Sequence, residues 1–437
     1  MTQTAQGPIS PAEIEAAVGR PLPPFPEASL RAFVARHFDR APFYMDALRN
    51  HPPPVYLLET QVLAAGARRF MAAFQGALPD TAFYYAMKSN NHPEVAGHLL
   101  KQGFGLDVSG GPELAAALDL GALDIIFSGP GKTDAELDMA VRHAEKVVVL
   151  MDSFGELGRL EKAAASRGAV VRTGVRLTTN PDGLWRKFGI PPDRIEDFFQ
   201  AARSCPHVRL QGLQFHTSWN LSPEAQLRFI EMLGGVLRTL PEGFLREFAF
   251  IDIGGGYWPE QGEWLHPGGT PEGMIRKALG QTVAAAAPRY RIPSMPIEGF
   301  SEALVPSIER HLRSVVPCRI CFEPGRWLVN DAMHIIVSVV DKKASDLVIT
   351  DAGTNAVGWE RYETDYFPVL NLTRPAMIEH PCHILGALCT PHDVWGYAYW
   401  GEAIEPGDIL LIPTQGAYTY SLRQEFIKPL PAVVVVV

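Results

Sequence analysis

From Val55 to Glu323 the chain repeats one unit: a short apolar run, then a longer stretch with apolar residues three or four apart. Strand-type runs fall at Val55–Leu58, Phe83–Met87, Gly105–Val108, Ile125–Ser128, Lys146–Met151, Val170–Leu177, Leu210–His216, Phe248–Ile253 and Arg319–Glu323. Helical spacing fills the intervals at Gln61–Gln75, Pro93–Gln102, Glu113–Leu120, Ala135–His143, Phe154–Ser166, Arg194–Arg203, Pro223–Leu240 and Ser301–Ser314. In the first of these helices Leu63, Ala67, Phe70 and Phe74 mark one face. Strands that alternate with helices must lie parallel, and about eight such units is the number that closes a barrel. After Arg326 the texture changes. Trp327–Lys342, Leu347–Thr350, His383–Leu388, Ile409–Pro413 and the valine run Pro431–Val437 are joined by turns rather than helices. The expected fold is therefore α/β: a (β/α)8, TIM-like barrel followed by a β-rich C-terminal domain, itself a barrel or sandwich. The expected division is an N-terminal arm at 1–50, a barrel at 51–325 and the β-rich domain at 326–437. The arm is proline-rich, with one amphipathic helix around Leu30–Phe38, and is placed to pack on the C-terminal domain. The terminal valines read as a buried strand.

Within this frame the run Tyr84-Tyr85-Ala86-Met87-Lys88-Ser89-Asn90-Asn91 stands out. An aromatic strand ends in a lysine, and Asn90 to Pro93 break it. Lys88 then sits at the carboxyl end of a buried strand, which is the catalytic face of such a barrel. Partial desolvation makes its amine easier to hold neutral, which suits a Schiff base with an aldehyde cofactor. A snorkelling lysine at a strand end fits this stretch equally well.

Composition narrows the field. The chain has 437 residues, 47% hydrophobic and 20% charged, as in globular proteins with more than one domain. A net charge of −9 without any dense basic cluster argues against nucleic acid as a partner. The sequence holds no apolar run of about 18 residues and no signal pattern near Met1, so neither a membrane partner nor export is expected. Five cysteines, an odd and sparse set, point to a reducing cytoplasm. Cys318 and Cys321 form one CxxC without a second pair, so they read as buried thiols and no metal is expected.

Two further motifs end strands. Ile251-Asp252-Ile253 runs into Gly254-Gly255-Gly256, whose backbone N–H groups can close on an anion. A tight turn is the plainer reading. Glu323-Pro324-Gly325-Arg326 puts a carboxylate and a guanidinium at one strand end. The first can hold a protonated ring nitrogen and the second a phosphate; a surface ion pair is the alternative.

The ordered set YYAMKSN, FGLDVSG, FSGPGKT, KFG, QFHTSWN, IDIGGGY, EPGRWLV, DAG, LCTPHD and GAYTYS resembles the fold-type III pyridoxal-phosphate decarboxylases, the group of diaminopimelate, ornithine and biosynthetic arginine decarboxylases. The resemblance spans about residues 55 to 425. It implies pyridoxal 5'-phosphate as cofactor, held by Lys88 through its aldehyde. It implies Asp107 near the ring, His216 stacked on the ring face and Arg176 near the phenolic oxygen. Gly254, Gly255, Gly256, Gly325, Arg326 and Tyr418 would bind the phosphate, and Glu323 would pair with the ring nitrogen. Cys389 would return a proton to the α-carbon from the partner subunit of a homodimer with shared sites.

Departures from the family pattern bear on the substrate. The usual His-x-Gly-Ser reads His216-Thr217-Ser218-Trp219 here, which displaces a phosphate-binding serine. The acid that normally follows the catalytic cysteine is Thr390, and the arginine position of diaminopimelate enzymes falls on Trp359. Candidate substrate residues are thus Trp359, Glu360, Arg361, Thr390 and Asp393. Glu363 and Asp365 are acids close by. Trp219, Trp359 and Trp395 suggest a larger, less polar substrate tail and a specialised biosynthetic pathway. The expected activity is release of carbon dioxide at the α-carbon of an amino acid or derivative. An amino-acid racemase on the same fold, or a diaminopimelate, ornithine or lysine decarboxylase proper, are the alternatives. A non-catalytic relative fits poorly with intact Lys88, Glu323, Arg326 and Cys389.

Overall fold

The structure, a computed structural model, describes Ala12, residues 22–358 and residues 364–437. Its strands in chain order begin with β1 (Val55–Glu59), β2 (Thr81–Ala86), β3 (Gly105–Val108), β4 (Ile125–Phe127), β5 (Val147–Met151) and β6 (Val171–Leu177). Next come β7 (Val208–Phe215), β8 (Phe250–Asp252), β9 (Glu263–Leu265), β10 (Tyr290–Ile292) and β11 (Arg319–Phe322). The rest are β12 (Met333–Ala344), β13 (Leu347–Thr350), β14 (Val369–Asn371), β15 (Glu379–Leu385), β16 (Val394–Trp400), β17 (Ile409–Ile412) and β18 (Ala432–Val436).

Strands β2 to β8 and β11 close a parallel barrel in the order β11-β2-β3-β4-β5-β6-β7-β8. Their runs are buried almost throughout, as strands covered by helices on the outside and packed side chains within must be. Helices such as Thr60–Gln75, with Leu63, Ala67, Phe70 and Phe74 buried, supply the outer layer. Tyr84, Ile126, Val148, Leu150, Phe250 and Cys321 fill the lumen, so the barrel is a packed core rather than a pore. Cys318 and Cys321 are both buried free thiols.

The remaining strands, apart from the antiparallel β9–β10 pair, form one eight-stranded sheet in the order β13-β15-β16-β14-β17-β12-β1-β18. Here three expectations are corrected. Strand β1, read as the opening unit of the barrel, lies between β12 and β18 in this second sheet. All five of its residues are buried, and local periodicity carries no information about which sheet a buried strand joins. The valine run is not a buried strand but an edge: in β18 only Val434 is buried, and Val435 is exposed. Finally, the segment from Trp327 is not yet strand. A short helix, Arg326–Val329, turns the chain after β11 before β12 begins at Met333.

The helix Glu27–Phe38 of the arm packs on this sheet through Leu30, Val34 and His37. His37 meets His334 of β12 edge-on at 5.7 Å. Among the described residues no helix is long and apolar enough to cross a membrane.

Candidate active site

The carboxyl ends of the barrel strands converge on a cavity of about 370 Å³. Lys88 follows β2 in a tight 3-10 turn, Met87–Ser89, and its side chain is 34% exposed into the cavity. Its Nζ lies 2.8 Å from Oδ2 of Asp107, which is fully buried in β3. The Ser128 hydroxyl donates to the other Asp107 oxygen. Burial works to lower the Lys88 amine, but the Asp107 and Glu323 carboxylates outweigh it and hold it above the ordinary lysine range. The expectation of an easily neutral amine is therefore overturned: the partner acids were not visible in the local sequence, and they keep the ammonium form.

Burial and the Glu323 charge push the Asp107 carboxyl up, against Lys88 and Ser128. Burial works the same way on Glu323, yet the Lys88 ammonium opposite draws it below the usual carboxylate range. Gln214 Nε2 donates to both Glu323 oxygens, at 3.3 and 3.5 Å. His216 comes within 3.7 Å of Glu323, too far for a hydrogen bond. Its Nδ1 instead accepts the Gly255 N–H at 3.1 Å. An accepting Nδ1 places the ring proton on Nε2 and leaves the ring neutral. Burial depresses the imidazole in the same direction.

After β8, Gly254 and Gly256 adopt φ +68° and +82°. A Cβ at Gly255 would stand 2.0 Å from the Glu323 carbonyl oxygen, and one at Gly256 2.2 Å from that of Thr217. Only glycine lets this loop close so tightly over the end of β11. Arg326 stacks its guanidinium over Trp258 at 4.2 Å and over Tyr418 at 4.9 Å. Tyr418 reaches the site because its N–H is held by the Ser89 carbonyl at 2.7 Å. Trp219 and Tyr418, both in the cavity wall, share the left-handed conformation at φ 57°. Two non-glycine residues in that region at one cavity mark a site shaped at a conformational cost.

Arg176 of β6 points inward and stacks on Phe188 at 4.4 Å. Ser218 stands in the wall next to Trp219, so the altered histidine motif still brings one hydroxyl to the cavity. Lys88, Arg176, His216, Gly256, Glu323, Gly325, Arg326 and Tyr418 all line it.

The C-terminal candidates do not join them within this chain. Cys389 is exposed and lies outside the cavity wall. Thr390 is likewise remote. Asp393, expected near the substrate, is buried and spends its two oxygens on the N–H groups of Thr354 and Leu388, at 2.6 and 2.7 Å. Trp395 is fully buried, its indole N–H on the Ala352 carbonyl at 3.1 Å, and is a core residue of the second domain. Trp359, Glu360, Arg361 and Glu363 lie outside the described residues.

Sequence reasoning missed several wall residues. Trp185, Lys187 and Phe188 bring an exposed loop to the mouth, and the Gly189 N–H beside them is pinned to Asp152 Oδ1 at 2.6 Å. Gly129 and Pro130 are held by Lys132, which is buried and paired with Glu156 at 2.8 Å. Its Nζ also donates to the Gly129 and Leu150 carbonyls. The quoted KFG and FSGPGKT motifs were the signals; what they lacked was a physical reason, which lies in contacts between neighbouring βα loops.

Comparison with known proteins agrees with this geometry. Residues 65–330 match the family described as pyridoxal-dependent decarboxylase, pyridoxal binding domain. The L-glutamyl-[BtrI acyl-carrier protein] decarboxylase of Niallia circulans is 27% identical over 399 residues, covering 84% of each chain. The 2-[(L-alanin-3-ylcarbamoyl)methyl]-2-hydroxybutanedioate decarboxylase of Staphylococcus aureus is 24% identical over 401 residues, covering 86% of this chain and 91% of its own. The fold matches the crystal structure of Helicobacter pylori diaminopimelate decarboxylase complexed with L-lysine, with TM-score 0.73, 22% identity and coverage of 90% and 94%. The family match spans more than half of the chain, which belongs to the pyridoxal-dependent decarboxylase family.

Proposed function

We propose that the cavity binds pyridoxal 5'-phosphate and decarboxylates an amino acid with an extended or neutral side chain. The observation that carries this is the convergence of Lys88, ionised Glu323 and the closed glycine loop on one cavity. The donor set suits the cofactor: an amine for its aldehyde, a carboxylate for its ring nitrogen, and backbone N–H groups with Arg326 for its phosphate. When bound, the cofactor supplies an electron sink for the pair left as the α-carboxylate departs.

The chain's own residues set the conditions for that chemistry. Glu323, held ionised, would hold a proton at the ring nitrogen once the cofactor is bound. His216, held neutral, would offer a flat uncharged face to the ring of a bound cofactor. Asp107 holds the Lys88 amine in place, where it would meet the aldehyde of a bound cofactor. Cys389 stands exposed on the C-terminal domain, where it is available to a second copy. We place it as the proton donor to the α-carbon of the partner's site, which makes the working unit a homodimer.

The tail of the substrate is read at the mouth, where Trp185, Trp219 and Trp258 offer aromatic surface. Thr390 carries no charge for a distal ammonium. An unpaired buried amine would cost a few kcal/mol, about two decades in rate. The two curated relatives named above act, by their names, on amino acids with large attached groups, which supports the same reading. Five free cysteines support a reducing compartment such as the cytoplasm. For the domain organisation we place the boundary between barrel and sheet domain near residue 325, with β1 an outlier in the sheet.

Purified protein is expected to absorb in the visible as a Schiff base, and Lys88→Ala to lose that band. Screening for carbon dioxide release should find acylated or otherwise extended amino acids ahead of diaminopimelate, ornithine and lysine. An unchanged band in the variant refutes the cofactor assignment. Turnover of a plain diamino acid at about 10⁴ M⁻¹s⁻¹ or more refutes the substrate class.

A further inference from the structure

Beneath the cavity lie two buried acceptors that nothing satisfies. Asp252 Oδ2 and Gln214 Oε1 are both buried without a hydrogen-bond partner. They belong to register partners, Gln214 on β7 opposite Asp252 on β8, so their side chains point to the same side of the barrel wall. Asp252 is 0% exposed and Gln214 1%. Orphaned buried acceptors are costly, and two at one register position call for a missing donor. A proton on Asp252 supplies a donor at this position without moving any residue.

The other end of the same carboxyl is already engaged. Asp252 Oδ1 accepts the Gly254 N–H at 2.8 Å, and the Gly254 carbonyl accepts the Glu323 N–H at 2.8 Å. Asp252 therefore touches the start of the glycine loop, and that loop is in turn laced to the residue after β11. We propose that Asp252 is a positioning residue in its neutral acid form, its hydroxyl donating to the Glu323–Gln214 pair while Oδ1 anchors Gly254. One side chain thus sets the ring-nitrogen carboxylate and the phosphate loop together. Burial and the adjacent Glu323 charge push the Asp252 carboxyl well above its ordinary range, in keeping with the geometry. The proposal rests on the cofactor reading given above.

The test compares Asp252→Asn with Asp252→Ala, both loaded with pyridoxal phosphate. Asparagine keeps a donor and an acceptor in the same places and carries no charge. It is expected to hold the cofactor within about threefold of the wild type, whereas alanine should weaken it by about tenfold or more. Cofactor dissociation constants are read from the visible band and from fluorescence, and the pH profile of the band should be unchanged in Asp252→Asn. Infrared difference spectra, wild type minus Asp252→Asn, should show the carbonyl stretch of a protonated carboxyl. That measurement needs only the wild type and the conservative variant, so misfolding of the alanine variant does not leave the idea unexamined. If Asp252→Asn loses the cofactor as alanine does, or the infrared band is that of a carboxylate, the proposal is wrong. A wild type without any visible band would instead overturn the cofactor reading itself.

Discussion

Lys88 shows how a residue's chemistry is decided by what surrounds it. On its strand end it is a half-buried lysine; with Asp107 at 2.8 Å and Glu323 across the cavity it is a firmly held ammonium. The same two acids are shifted in opposite directions because they differ in partners. Glu323 faces the Lys88 ammonium and receives the Gln214 amide, and it stays ionised at about 2. Glu323→Gln removes the negative charge proposed to hold the ring proton while leaving Lys88 in place. Its kcat is expected to fall about hundredfold or more, with the visible band retained. Steady-state kinetics beside an absorption spectrum check this; a kcat within a few-fold of the wild type would refute the role.

At the level of elements, two histidines tie segments to the sheet domain. His37, on the helix Glu27–Phe38, is buried against His334 and bonds the Phe33 carbonyl through Nδ1 at 2.9 Å. His266 is buried between Tyr366 and Tyr397, with ring centroids 5.3 Å from each. Burial, aided by neighbouring cations, pushes both imidazoles from 6.5 to about 3. Each is neutral when folded and free to take a proton when unfolded. Between pH 6.5 and about 3 the unfolded chain therefore binds more protons, and stability falls as pH falls. The loss is about 1.4 kcal/mol per pH unit for each histidine. Thermal melts from pH 7 to 4 should show a falling Tm, and His37→Gln should flatten the decline. A Tm that is level over this range would contradict it.

For the whole molecule the telling fact is where Cys389, the proposed proton donor, sits. The cavity is walled by the barrel and Tyr418, whereas Cys389 projects from the far domain into solvent. A site complete in one chain would bring it inside; a site shared across a two-fold axis leaves it facing outward. Lys88→Ala and Cys389→Ala chains should each be inactive alone. Mixed in equal amounts and allowed to exchange, they should regain about a quarter of wild-type activity, since random pairing puts one intact site in half of the dimers. Exchange that is shown to occur without any return of activity would rule out the shared site.

The sequence by itself determined everything that follows from local pattern. Parallel strands with helices between them, the lysine, glycine and Glu-Pro-Gly-Arg motifs at strand ends, and the change to turn-linked strands after Arg326 are all short-range signals. The resemblance of these motifs to the pyridoxal-phosphate decarboxylases assigned Lys88, His216, Gly256, Glu323 and Arg326 to one site before any coordinates, and barrel closure is what lets such strand ends meet. Tertiary structure alone decided what depends on contacts distant in the chain. Strand β1 is as fully buried as the barrel strands, and only its pairing with β12 and β18 puts it in the other sheet. Asp393 and Trp395 follow Cys389 closely in the sequence, yet burial and backbone hydrogen bonds make them structural. The charge on Lys88 and the unmet acceptors of Asp252 and Gln214 depend on groups brought within a few ångströms by barrel closure. Hydrophobic period is a property of neighbours in sequence, whereas electrostatics and hydrogen bonding are properties of neighbours in space.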